Sequence, residues 1–512
     1  MQSWSSVEGC TWRSVEQQVC WRLLPFHLQE SLVSAASFDY DLAIIGSGGA
    51  AFAAAIRATS RGKRVLMVER STVGGTCVNT GCIPSKALLA AAEARHVALD
   101  ASGRFPGIST SAEPVDMPEL VAGKRSLVES MRSEKYVDLA AGYGWNLQRG
   151  TAVFAGTAAA PVLNITAPGG TTETVSAEHY LVATGSTPWI PEVPGMDEVD
   201  YLTSTSAMEL QDVPASMLVV GGGYVALEQA QLFARLGTEV TILVRSKLAS
   251  AEEPEAGHAL AGVFADEGIR VVRRATASSV RTDEVSGDVV VDASVSGGNE
   301  EFRAARLLMA TGRRPVTEDL NLCMVGVETG DRGEVLVDGS LRSTNPRIWA
   351  AGDVTGHPEF VYVAAAHGAL MVENAFEGAG REVDYRHLPR VTFTSPALAA
   401  VGMTDKEANQ AGIRCMCRVL PLKFIPRALV NRDTRGFIKI VADADTGRIV
   451  GITVVGKDAG DIAAAGIYIL EAGMTVDQVA NLWSPYLTMA EGIKIAAQSF
   501  TTDVSKLSCC AA

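Results

Sequence analysis

The sequence predicts an α/β protein with two strand–helix–strand nucleotide units, followed by a C-terminal α+β domain. Three observations carry this. A glycine-rich turn joins an apolar strand to an alanine-rich helix after Asp39, the same arrangement recurs from Met217, and the texture changes near Arg386. A chain of 512 residues suits about three domains and can bury large cores.

Composition removes several function classes. The 49 glycines fall in clusters rather than in a period of three, which excludes collagen-like architecture. Acidic residues outnumber basic ones, 58 to 44, for a net charge of −14, so there is no basic stripe for nucleic acid. No apolar run reaches the ~18 residues of a membrane span. The first thirty residues lack the apolar core of a secretory signal, and nine cysteines are too sparse for a disulfide framework. A cytoplasmic location is expected, with no membrane insertion. Residues 1–37 hold Trp4, Trp12, Trp21 and Phe26 without periodicity and are expected to form a poorly ordered extension. Nine residues separate Cys10 from Cys20, unlike a CxxC metal-trafficking loop.

The first unit reads YDLAIIG as a buried parallel strand, GSGGAAFAAAIRATSRG as turn and helix, and KRVLMVER as the second strand. Gly46 permits the tight turn, Gly48 lets backbone approach a pyrophosphate, and Ala51 lets helix and strand pack closely. Unpaired N–H groups at the helix start then face phosphate. Glu69 closes the second strand 23 residues after Gly46, where a carboxylate accepts from a ribose diol. The second unit repeats the pattern with Gly221, Gly223 and Ala226, but its second strand ends Val244-Arg245-Ser246-Lys247. Arg245 and Lys247 attract a 2′-phosphate that an acid would repel, which predicts NADPH over NADH. EHYLVATG and ARLLMATG read as further short β stretches, and the region from Arg386 as α+β.

The segment GGTCVNTGCIPSK at 74–86 carries two cysteines, Cys77 and Cys82, with four residues between them. That spacing does not suit a zinc knuckle. Glycines and a proline allow the sulfurs to meet. Cys82 precedes a helical stretch, KALLAAAEARH, and Lys86 follows one turn later, both of which favour thiolate. Cys323, in DLNLCMVG, is expected to be a small buried apolar residue. Cys415 and Cys417 take alternate positions of a strand and so share one face, where a second metal site is an alternative to plain strand packing.

GGTCVNTGCIPSK, with ATGSTP at 183–188, ATGRRP at 310–315 and IWAAGDVTG at 348–356, resembles the flavin-dependent pyridine nucleotide-disulfide oxidoreductases over nearly all of residues 39–512. The resemblance implies an FAD-binding domain at 38–188 and 317–384, an NADPH-binding domain at 189–316, and a dimerisation domain at 385–512. It implies FAD contacts at Gly75, Thr76, Lys86, Thr184, Gly185 and Asp353, and a nucleotide contact at Gly312. It also implies Cys82 against the flavin, Cys77 as the exchanging thiol, and a Lys86–Glu228 pair.

Disulfide-reducing members carry a His-Pro-x-x-x-x-Glu segment whose histidine protonates the leaving thiolate. Here the last histidine is His387, and the corresponding segment, SPYLTMAE, has Tyr486 in the histidine position. A tyrosine, ordinarily near pKa 10, is a poor shuttle at pH 7. The chain ends DVSKLSCCAA, with Cys509 and Cys510 adjacent, a pair suited to a soft metal ion. Together these features are similar to the Hg(II)-reducing branch of the family. That likeness implies a homodimer with shared active sites, and small thiols as mercury carriers. Cys509 and Cys510 would hand Hg(II) to Cys77 and Cys82, with Tyr224 and Tyr486 beside the metal. The alternatives are an NADPH-dependent disulfide reductase and a flavin-binding metal sequestrant that does not turn over.

Overall fold

A computed structural model describes residues 38–506 and 508. Cys10, Cys20, Cys509 and Cys510, and the extension expected at 1–37, lie outside the described residues. The first unit forms strand Tyr40–Ile45, helix Gly49–Thr59 and strand Val65–Glu69. The strands run parallel, with Leu42 opposite Val65 and Ile45 opposite Val68. Leu42, Ala43 and Ile44 are fully buried, so both faces of the strand are covered, which is why it reads as an unbroken apolar run. The sheet is five-stranded and parallel. Its order is Ile348–Ala350, Ala177–Val182, Tyr40–Ile45, Val65–Glu69, Asn146–Arg149. Residues some three hundred positions apart therefore complete one layer.

The second unit, Ser216–Val220, Tyr224–Leu236 and Glu239–Val244, centres another parallel sheet flanked by Arg306–Met309 and Arg270–Arg273. Each unit is accompanied by a three-stranded antiparallel sheet, one at residues 151–175 and one at 276–304. The C-terminal region folds as a five-stranded antiparallel sheet ordered Arg390–Thr392, Ala397–Gly402, Ile449–Gly456, Phe437–Asp443, Cys415–Pro421. Its core joins Ile440, Ile452 and Val454 to Ile462 and Ala463 of helix Ala459–Glu471.

One expectation is corrected. Cys323 is exposed, not buried. It lies in a 3₁₀ turn, Leu322–Val325, where positions three apart share a face. Leu322 and Val325 take the inward face, and Cys323 is left pointing out. Among the described residues no helix is long and apolar enough to cross a membrane.

Candidate active site

The two glycine turns are shaped by their sheets. Gly46 has φ +103°, and a Cβ there would lie 2.4 Å from the Ala183 carbonyl oxygen of the neighbouring strand's end. Gly221, at φ +142°, faces the Ala310 oxygen at 2.2 Å in the same way. No side chain fits at either position. Gly48 and Gly223 differ. A Cβ on Gly223 would meet nothing within 4 Å, and one on Gly48 only the Gly75 Cα at 3.9 Å. Both are helix N-caps without a side-chain cap, so the first N–H groups of each helix are open to a phosphate. Ala51 and Ala226 are fully buried. The two turns therefore fit two dinucleotides.

Glu69 lies at the end of its strand and accepts from Ser47 Oγ at 2.6 Å and Ser71 N at 2.8 Å, which fixes its carboxylate in a cleft shared with Gly46 and Thr184. Arg245 and Lys247 line the second cleft with Gly221, Gly223 and Gly312. Both cations are thus held near the second glycine turn.

A third cleft contains Gly48, Thr76, Cys77, Cys82, Lys86, Gly185, Tyr224, Glu228 and Asp353. Gly75, at the start of the cysteine segment, sits so close that a Cβ on it would be 2.5 Å from the Gly48 Cα. Cys77 lies in a helical turn, Gly75–Asn79, rather than in open loop. Asn79 Nδ2 closes that turn by donating to the Val73 and Gly75 carbonyls at 3.0 and 2.9 Å. Cys82 is the first residue of the 23-residue helix Cys82–Arg104, at its positive end.

The two thiols titrate as a pair. The hydrogen bond from Cys77 lowers Cys82 to about 7, with the Lys86 ammonium assisting against burial. The same bond, with burial, pushes Cys77 up. At neutral pH one sulfur is substantially thiolate and the other is its donor. Lys86 Nζ donates to Glu228 Oε2 at 2.7 Å and lies 4.5 Å from the centre of the Phe393 ring. Glu228 is buried, and its Oε1 accepts from Phe393 N at 2.9 Å.

Tyr224 opens its helix and lines both the dithiol cleft and the second nucleotide cleft. Burial pushes its phenol up to about 12, so it is neutral at physiological pH. Tyr486 is half exposed and does not line the dithiol cleft within one chain. It follows Leu482 and the fully exposed Trp483 in one loop.

Several partners escaped sequence reading. Arg313 Nε donates to Ser186 Oγ at 2.7 Å, and Ser186 Oγ donates to Asp353 Oδ2 at 2.7 Å, so the arginine of ATGRRP orients the aspartate of IWAAGDVTG through the serine of ATGSTP. The signal was present in ATGRRP but gave no partner. Gly352 N donates to Nδ1 of the fully buried His367 at 3.2 Å. Burial, and then His357, lower that imidazole to about 4 and keep it neutral. Phe393 had no signal at all.

The pyridine nucleotide-disulphide oxidoreductase model matches residues 40–368, and its dimerisation-domain model matches 388–497. The chain is 57% identical to a mercuric reductase of Streptomyces lividans, over 92% of this chain and 98% of that one. It is 45% identical to a mercuric reductase of Staphylococcus aureus, over 92% and 84%. Among solved structures, the Cu(II) complex of the HOCl-induced flavoprotein disulfide reductase RclA of Escherichia coli aligns with a TM-score of 0.79. It is 27% identical and covers 90% of this chain and 99% of that one. LpdA of Mycobacterium tuberculosis aligns at 0.80 and 25% identity, covering 90% and 99%.

Proposed function

The chain belongs to the pyridine nucleotide-disulphide oxidoreductase family, and from that premise we propose that it reduces Hg(II) to elemental mercury with NADPH as electron donor. The observation that carries the reading is a complete dithiol cleft in a chain with tyrosine, not histidine, at position 486. Kinship with mercuric reductases over 92% of the chain supports it.

Residues 38–188 and 317–384 form the FAD domain, 189–316 the NADPH domain and 385–512 the dimerisation domain. Gly46, Gly48, Ala51, Glu69, Gly75, Thr76, Lys86, Thr184, Gly185 and Asp353 hold FAD. Gly221, Gly223, Ala226 and Gly312 hold NADPH, with Arg245 and Lys247 on its 2′-phosphate. FAD held by these residues would supply two-electron redox chemistry between NADPH and the metal.

The chain's own residues govern how the metal arrives. Hg(II) reaches the enzyme as a complex of small thiols. Cys509 and Cys510 of the partner subunit take it by ligand exchange, each new sulfur–metal bond releasing one carrier thiol. Cys82, already thiolate, and then Cys77 displace the tail cysteines; the proton lost by Cys77 goes to one leaving sulfur, and the other leaves as thiolate. Lys86 holds the charge of the Cys82 thiolate, and Glu228 holds Lys86. The hydroxyls of Tyr224 and Tyr486 turn oxygen toward the metal during the hand-over. The dimerisation domain supports a homodimer, and the exposed Leu482, Trp483 and Tyr486 suit a surface covered by a second copy. The location is the cytoplasm.

The test is NADPH oxidation by FAD-loaded enzyme. Hg(II) in excess thiol is compared with oxidised lipoamide, glutathione and thioredoxin. Rapid oxidation with Hg(II) and release of volatile mercury is expected. Oxidation by disulfides alone would overturn the reading in favour of a disulfide reductase, and no oxidation by any substrate would leave a sequestrant.

A further inference from the structure

Away from the flavin cleft, the edge strand Cys415–Pro421 of the C-terminal sheet carries a second pair of sulfurs. Cys417 Sγ lies 3.8 Å from Cys415 Sγ, and Cys415 Sγ lies 3.8 Å from the Asp405 carbonyl oxygen. Both thiols are free and half-buried. They stand opposite Asp443 and Val441, beside the point where the next strand pair slips register at Val441/Ala442. Such bulges re-aim side chains locally. Neither cysteine lines the dithiol cleft.

A direct disulfide suits this pair poorly. Two residues of strand separate their Cα atoms by about 6.6 Å, near the far limit of about 6.8 Å for a disulfide. A bridging metal removes that difficulty. With metal–thiolate bonds of about 2.3 Å, the present sulfur separation corresponds to an S–metal–S angle of about 110°. An in-line arrangement needs about 4.6 Å, which is a further opening of about 0.8 Å. The Asp405 carbonyl near Cys415 already accepts from Asn409 Nδ2 at 2.8 Å, so the two sulfurs are the ligands.

We propose that Cys415 and Cys417 form a second soft-metal site, which takes Hg(II) from small-thiol complexes and holds it out of reach of the flavin. The choice of mercury as occupant rests on the reading above. The site itself rests on the sulfur geometry. Binding is ligand exchange alone. Two cysteine S–H bonds and two metal–carrier bonds break, two metal–cysteine bonds form, and the two protons leave on two carrier thiols. No electrons move. A dithiol favours this exchange over two separate thiols because the second bond closes within one chain.

The test uses full-length, FAD-loaded enzyme without NADPH. It is loaded with mercuric chloride in the presence of cysteine and desalted against fresh cysteine. The parent is expected to retain one more mercury per chain than Cys415→Ser/Cys417→Ser, while both reduce Hg(II) at rates within twofold under excess thiol. Equal retention would overturn the site. If the double variant loses its flavin, differential alkylation of the parent decides. Cys415 and Cys417 should be protected in mercury-loaded protein, and equal labelling with and without mercury would overturn the proposal. If the parent never reduces Hg(II), the functional reading falls while the retention and labelling comparisons still answer for this site.

Discussion

Cys77 and Cys82 meet inside a cleft, and Cys415 and Cys417 meet on a sheet edge, and Cys82 and Cys417 shift in opposite directions. Cys82 is drawn down to about 7. Cys417 is pushed up to about 12, by burial first and then by its bond to Cys415. Both pairs have an ammonium nearby, so charge alone does not explain the contrast. Lys86 has one carboxylate partner, Glu228, and Cys82 also sits on the positive end of a long helix. Lys439, fully buried beside the second pair, donates to Glu253, Glu255 and Asp405 at 2.9, 3.0 and 2.9 Å. Three carboxylates neutralise it, and the strand contributes no helix end. In each pair the donating thiol, Cys77 or Cys417, is pushed up, and at Cys82 the hydrogen bond from Cys77 lowers the accepting sulfur first, with the less neutralised Lys86 ammonium adding to it.

The largest way to break the contrast is Cys82→Ser. We expect mercury-dependent NADPH oxidation to fall by about a thousandfold or more, as when one member of a concerted catalytic set is removed. Cys417→Ser should leave the same rate within twofold. A comparable loss from both would erase the functional distinction between the pairs.

Next in size is Lys86→Met. Alkylation needs thiolate, so in the parent the rate at Cys82 should rise with pH and level off above a midpoint near 7. The Cys77 hydrogen bond is the larger cause of the lowered value and survives the substitution, so only part is lost. The midpoint should move up by about one unit, which slows labelling at pH 7 by about fivefold, because half of the parent thiol is already ionised there. An unmoved midpoint would mean that Lys86 only anchors Glu228. Cys417, by contrast, should still be gaining reactivity beyond pH 10 in both proteins.

The same contrast explains what could be read in advance. The nucleotide strands were legible because parallel strands covered on both faces must be apolar throughout, as Leu42–Ile45 are. The glycine turns were legible because only glycine survives 2.4 Å from the Ala183 carbonyl. The alternation of Cys415 and Cys417 was legible from strand periodicity. What stayed hidden depends on contacts between distant segments. Strand Ile348–Ala350 closes the first sheet, and Phe393 N caps the Glu228 carboxylate from another part of the chain. No local pattern encodes either. Cys323 was misread because a four-residue 3₁₀ turn is too short to declare its period.

The smallest effect concerns the balance at Lys439. Asp405 raises Cys417 directly through its charge, and it is one of the three groups that neutralise the ammonium. Asp405→Asn acts in one direction on both counts: it removes a negative neighbour and leaves Lys439 with two carboxylates. The backbone is undisturbed, because Asp405 N still donates to Glu253 Oε1 at 2.9 Å. One partly exposed charge contributes about 0.2–1 kcal/mol. Alkylation of Cys417 at pH 9 should therefore accelerate by about 1.4- to fivefold, with Cys82 labelling unchanged as the internal control. A slower rate at Cys417 would mean that Asp405 governs access to the sulfur rather than its charge.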